Sequence, residues 1–294
     1  MRVTQGMLSN NMLRNLMNSN SKMSGYMDQL NTGKKITRPS DDPVVAMKGM
    51  GYRTELVRVE QFQRNTNEVH NWMDNSDAAL DKATSTMQRI RELAVQASNG
   101  TYGSEELANI GEEVKQLKEH LIDLANTNVN DKFIFNGTKT DTPPIIRNEE
   151  GTDWEYDFND SEVRIEVSSG TTLKANVNGA TVFGGQPGMF DAIDNFIDRL
   201  GTGEEIDASI GELDDGINTI INARAELGAR MNRLELIENR LNEQEVIATK
   251  TLSNNEDIDY AKAITQLITQ ESLHRAALSA GSRIIQPSLV DFLR

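Results

Sequence analysis

The 294-residue chain contains no cysteine, which excludes a disulfide scaffold, a thiolate zinc site and a catalytic thiol. No apolar run approaches the ~20 residues a membrane-spanning helix needs, so membrane insertion is not expected. The opening Met1-Arg2-Val3-Thr4-Gln5-Gly6 lacks the short apolar core of a cleavable secretory signal. Aromatic residues make up 5% and hydrophobic residues 37%, and the mean hydropathy is -0.53. Such scarcity argues against one large globular core and for long, exposed helices. Histidine is limited to His70, His120 and His274, far apart and none opening a His-Glu-x-x-His pattern. A metal site needs three or four converging ligands, so neither a metal centre nor a cofactor is expected.

Acid is in excess, with 45 Asp+Glu against 30 Lys+Arg. The imbalance is uneven: residues 1–60 sum to +4, residues 141–200 to -8 and residues 201–250 to -6. A chain this acidic repels phosphate backbones, so nucleic acid is not an expected partner. The acidic middle reads as a solvent-facing surface.

Proline is confined to positions 39, 43, 143, 144, 187 and 287, which leaves two proline-free blocks, 44–142 and 188–286. Helix interiors exclude proline because it lacks the donor N–H and clashes with the preceding turn. The order is therefore helices, a short non-helical middle, and helices again. From Phe62, the series Thr66, Val69, Met73, Ser76, Leu80, Ala83, Met87, Ile90, Ala94, Ala97 steps by four and three without a slip, the seam of a coiled coil. Asp42 is a good N-cap with Pro43 at the first helical position, and Asn99-Gly100 supplies a left-handed stop. A second helix is expected from a Ser104 cap, with the seam Leu107, Ile110, Val114, Leu117, Leu121, Leu124, antiparallel to the first across Thr101-Tyr102-Gly103. In the C-terminal block, Leu213, Ile217, Ile220, Arg224, Leu227, Met231, Leu234, Glu238, Leu241 repeats the pattern with two polar interruptions. Between the blocks, Val163–Val167 and Leu173–Val177 alternate apolar with polar around Ser168–Thr172, a strand–turn–strand signature.

Both ends read as amphipathic helices. One stripe is Leu13, Leu16, Asn20, Met23, Met27, Leu30; the other is Tyr260, Ile264, Leu267, Glu271, His274, Leu278, Gly281, Ile285. An apolar stripe must be buried, and pairing the first helix with the last is the economical solution. Eight of the twelve methionines lie in the first 50 residues, which suits a surface making several non-identical contacts. Thr32-Gly33-Lys34-Lys35 lacks the earlier glycine and following Ser/Thr of a phosphate loop, and reads as a helix stop with two surface lysines. The acidic run Asp153, Glu155, Asp157, Asp160, Glu162 lacks the glycine of a calcium loop and reads as a solvated strand edge.

The segment Leu30-Asn31-Thr32-Gly33 through Pro39-Ser40-Asp41-Asp42-Pro43 resembles the N-terminal signature of the flagellin family. Arg224-Ala225-Glu226-Leu227-Gly228 through Asn232-Arg233-Leu234 resembles the family's C-terminal motif. Within the family the likeness is to the hook-associated members, on the Arg2-Val3-Thr4-Gln5 start, the two prolines around Ser40-Asp41-Asp42, and Phe133-Ile134-Phe135-Asn136-Gly137. This resemblance implies a structural subunit without enzymatic chemistry, joining hook to filament as a ring of copies. It also implies export unfolded through the flagellar type III channel to an extracellular location, with a chaperone on the C-terminal helix. Its other partners would be a hook-side junction protein and flagellin. The expected fold is mainly α, an elongated antiparallel coiled-coil or helical bundle of N- and C-terminal blocks with a small β-rich insert. The expected domains are terminal assembly helices at 1–40 and 256–294, a helical rod at 41–137 and 188–255, and the insert at 138–187. Two other readings are a filament-forming flagellin and a cytoplasmic coiled-coil scaffold.

The polar residues in the terminal seams weaken them, and the ends are expected to be disordered in the free monomer and to fold on assembly. Hydrogen exchange on the isolated chain should then show little protection over residues 5–30 and 258–285; strong protection there would reject the expectation.

Overall fold

The computed structural model describes residues 5–99, 102–148, 154–184 and 188–284. Gly100, Thr101, Asp153 and Ile285, all used in the expectations above, lie outside the described residues. The protein is mainly α. In chain order the elements are α1 (Gln5–Thr32), α2 (Pro43–Ser98), α3 (Ser104–Ala125), β1 (Asn128–Val129), β2 (Lys132–Phe133), β3 (Ile145–Arg147), β4 (Trp154–Tyr156), β5 (Arg164–Ser168) and β6 (Thr171–Lys174). There follow α4 (Gly179–Val182), α5 (Met189–Thr202), α6 (Ile206–Glu256) and α7 (Tyr260–Ile284). The chain divides into two compact units: a terminal unit of Met1–Arg58 with Gln244–Arg294, and a central unit of Val59–Glu243. Helices α2 and α6 each contribute to both.

In the central unit the expected seam of α2 is the core. Val69, Met73, Leu80, Ala83, Met87, Ile90, Ala94 and Ala97 are all buried. Its polar members are satisfied locally. The hydroxyls of Thr66 and Ser76 donate to the carbonyls of Gln63 (2.9 Å) and Trp72 (2.7 Å), one turn back on the same helix. Helix α6 runs antiparallel to α2 and buries Leu213, Ile220, Leu227, Leu234 and Leu241. The polar interruption at Arg224 is a register device: its guanidinium donates to Asp77 (3.0 Å) and Asp81 (2.7 Å) of α2. Arg91 of α2 pairs with Asp214 of α6 in the same manner further along.

Helix α3 returns antiparallel beside α2, with Arg89 donating to Glu113 at 2.8 Å. It starts one residue away from the expected cap: Gly103 is the N-cap and Ser104 the first helical residue. The Glu106 carboxylate accepts from the Gly103 N–H, which satisfies that end without a side chain at the cap. Helix α5 lies on α3, tied by Lys118 to Asp194 at 2.5 Å.

Among the described residues the β-rich part holds three antiparallel hairpins rather than one. The expected pair is β5–β6, with Arg164 opposite Lys174 and Ile165 opposite Leu173. The hairpins β1–β2 and β3–β4 were not anticipated because their strands are two and three residues long, too short for alternation to register. A local signal for the first was present: Asn130 and Asp131, at φ 53° and 61°, form the kind of turn that joins such strands. Three asparagine side chains replace much of the missing ladder. Asn126 exchanges two hydrogen bonds with the backbone of Ile145. Buried Asn136 donates to Thr142 O (2.9 Å) and accepts from Asn159 N (2.9 Å). Buried Asn176 accepts from Val163 N at 2.8 Å. Beneath them Phe183 packs edge-on to Phe135 at 5.2 Å and stacks near Phe158 and Phe190, joining the insert to the helical core.

Replacing the fully buried Phe183 by alanine should cost about 3–5 kcal/mol through lost burial and the cavity left behind. Urea unfolding of the variant against the parent measures it.

Candidate assembly interface

The first and last helices pair. Helices α1 and α7 pack antiparallel, with Gln270 donating to Ser19 Oγ at 2.8 Å. Gly281 sits against Met12 so closely that a Cβ there would overlap the thioether. The faces turned toward each other carry Met12, Leu16, Ser19, Met23, Tyr26 and Leu30 on α1, and Ala263, Leu267, Gln270, His274, Ala277 and Gly281 on α7. Small residues on α7 receive larger ones from α1.

This face overlaps the stripes read from the sequence at Leu16, Met23, Leu30, Leu267, His274 and Gly281. Leu13, Asn20 and Met27 of α1, and Ile264 and Leu278 of α7, are exposed on the pair's outer surface. No described side chain of α1 is fully buried. The pair is thus joined along one side and uncovered along another. His274 Nδ1 is buried in it without a hydrogen-bond partner. His120 is exposed, and half-exposed His70 lies 3.1 Å from Asp74.

Below the pair, the two chain segments entering and leaving it are clasped together. Gly33, at φ 69°, ends α1 in the left-handed conformation with its N–H on Gln29 O, at the helix stop read from the sequence. The next residues form an antiparallel bridge, Lys34 opposite Asp257, with Lys35 N donating to Glu256 O (2.6 Å) and Ile258 N to Gly33 O (3.0 Å). Glu256 is only 5% exposed, and its carboxylate is met by Arg53 at 2.5 Å and Lys34 at 3.6 Å. A buried carboxylate left unpaired would be strongly destabilising, so this trio holds or fails together. Gly49 lies against the same carboxylate, where a Cβ would collide with it. Lys34 also binds Asp257 at 2.6 Å, and Lys35 Nζ donates to Asn254 O. The two lysines are therefore clasp members rather than free surface charges. No sequence signal could have paired them, since their partners lie more than two hundred residues away.

The connector between the clasp and α2 carries the N-terminal motif. Ser40 is exposed. Asp41 accepts from the backbone N–H groups of Arg38 (2.9 Å) and Thr37 (3.2 Å), which hold its carboxyl below the usual range. Asp42 caps α2, accepting from Val44 N (3.0 Å) and Val45 N (3.1 Å). In the C-terminal motif, Arg224 and buried Leu227 face the bundle, whereas Asn232 and Arg233 are exposed and Gly228 is half-buried with open space beside it.

Of the 22 large hydrophobic side chains exposed among the described residues, 16 belong to the terminal unit. That concentration makes the terminal unit the candidate interface. Residues 3–140 match the helical N-terminal region of bacterial flagellin, and residues 210–293 match its helical C-terminal region. The chain belongs to the flagellin family. The flagellar hook-associated protein 3 of Escherichia coli (strain K12) is 25% identical over 304 residues, covering 94% of each chain. Among solved structures of the same fold, one assigned as a flagellar hook-associated protein from Vibrio parahaemolyticus has a TM-score of 0.68 at 22% identity, covering 74% of this chain and 100% of that one. The flagellar junction protein FlgL from Legionella pneumophila has a TM-score of 0.58 at 16% identity, covering 71% and 100%.

In this flagellin-family chain the clasp titrates at both ends of the pH scale. Hydrogen bonding to Lys34 holds Asp257 below its ordinary value, and hydrogen bonding to Asp257 raises Lys34. The carboxylate's contribution is complete above its unfolded pKa of about 3.9 and disappears as pH falls through the lower folded value. The ammonium's contribution is complete below about 10.4 and disappears as pH rises through the raised folded value. Hydrogen-exchange protection of the Ile258 amide should therefore fall below pH ~4 and above ~10. In Asp257→Asn the acid step should vanish; an unchanged acid step in that variant would contradict the clasp.

Proposed function

We propose that this chain is a structural subunit of the bacterial flagellum, joining hook to filament as a ring of copies. One observation carries the reading: the exposed apolar surface is concentrated on a unit built from the chain's two ends. The match of nearly the whole chain to a hook-associated relative supports it. In this reading the terminal helices, residues 1–40 and 256–294, form the inner tube of the ring. Leu13, Met27, Ile264 and Leu278, exposed in the single chain, are then covered by sister copies. Residues 41–137 and 188–255 are the helical rod, and the acidic insert at 138–187 is a solvent-facing surface part. The role is mechanical rather than catalytic.

The partners follow from the position. A hook-side junction protein meets one end of the ring and flagellin the other. The subunit reaches the extracellular flagellum through the flagellar export channel, unfolded, with a chaperone on its C-terminal helix until release. A clasp of three ion pairs and a half-covered helix pair suit a terminal unit that is unfolded for passage and rebuilt at the tip.

Leu278→Glu tests the reading, because Leu278 is 49% exposed and its loss leaves the α1–α7 face intact. The variant should be folded and exported but not retained on cells. Electron microscopy of labelled flagella should show the parent as a band at the hook tip. Label along the whole filament would favour a filament subunit, and protein found only inside cells would overturn the proposal.

A further inference from the structure

Methionine is distributed in this molecule by location. Met7, Met17, Met27, Met47 and Met50 are 56%, 69%, 52%, 65% and 60% exposed, and all five lie in the terminal unit. In the central unit Met73 and Met87 are fully buried and Met189 is 4% exposed. Cysteine is absent, so no thiol competes for a two-electron oxidant. Thioether sulfur is oxidised at a rate that follows its access to solvent, and the product is a polar, chiral sulfoxide.

We infer that these five exposed methionines are sites of reversible S-oxidation, and that their conversion to sulfoxide blocks docking of the terminal unit. The docking half of this inference rests on the assembly role proposed above. In the reaction the sulfur gives two electrons to hydrogen peroxide. The O–O bond breaks, one oxygen becomes the S=O oxygen, and the other leaves as water. The consequence is physical. A thioether packs against varied apolar partners, whereas a sulfoxide oxygen carries water that must be removed before the surface is buried. Five such groups on one unit turn an apolar contact surface into a hydrated one, while the buried methionines keep the bundle intact. A subunit already in the ring has these side chains covered, so the sensitivity belongs to the free, newly exported chain.

The test uses the full chain and hydrogen peroxide. Peptide mass spectrometry should find the five exposed methionines oxidised at least about tenfold faster than Met73, Met87 and Met189. Treated and untreated protein are then added to hooks isolated from cells lacking this chain. Treatment should reduce binding at least about tenfold, and a methionine sulfoxide reductase supplied with a dithiol, which is oxidised to the disulfide as the oxygen leaves as water, should restore it. Combining Met7→Leu, Met17→Leu, Met27→Leu, Met47→Leu and Met50→Leu, each nearly volume-conserving, should leave binding unaffected by peroxide. If the combined variant does not bind untreated, single replacements are compared for partial resistance. Treated parent protein that binds as well as untreated overturns the inference and leaves the assembly role standing. Untreated protein that does not bind hooks overturns the assembly role and the docking half with it. Equal oxidation of exposed and buried methionines overturns the site assignment in either case.

Discussion

Heptad seams from opposite ends of the chain cover one another, and the rest of the central unit depends on that exchange. Helix α2 presents an unbroken row of small and apolar residues, and α6 presents its own row running the other way. Neither is a stable surface in water alone, because an apolar stripe along a helix of some fifty residues has to be buried. Apolar packing sets the affinity of the two rows but is a poor guide to their relative sliding. The paired charges supply that: Arg224 reaches two aspartates one turn apart on α2, and Arg91 with Asp214 repeats the link. These pairs are half-exposed, so their value is positional more than energetic.

The hairpins hang on this bundle. Two- and three-residue strands make too few ladder bonds to stand by themselves. Asparagine side chains close the gaps by bonding backbone groups that no strand reaches, and the aromatic cluster around Phe183 supplies the apolar anchor. An insert of this kind can be acidic and solvent-facing on its outer side without loss of order beneath.

The terminal unit is built on different terms. Its helix pair is seamed along one face only, and its remaining apolar surface lies open. Low burial makes for low local stability. The clasp at the base supplies a fixed point. Backbone bridge, buried Glu256 and its two cations together hold the chain's two ends in one register while the helices beyond remain available to neighbours.

The heptad rows of α2, α3 and α6, the Asp42 cap, the Gly33 stop and the β5–β6 hairpin were all legible in the sequence. Each is written in local spacing: a period near 3.5, a residue that accepts at a helix start, a glycine that tolerates positive φ, an alternation of two. The family motifs were legible for the same reason. Local spacing could not choose between two overlapping stripes on α1, because Leu16, Met23 and Leu30 belong to both. Tertiary structure chose the face holding Met12, Ser19 and Tyr26, since the small residues Ala277 and Gly281 on α7 admit it closely. The clasp was likewise invisible. Lys34 and Glu256 carry no mark of each other in the sequence, and only the closing of the chain on itself brings a buried carboxylate within reach of the cations that make its burial tolerable.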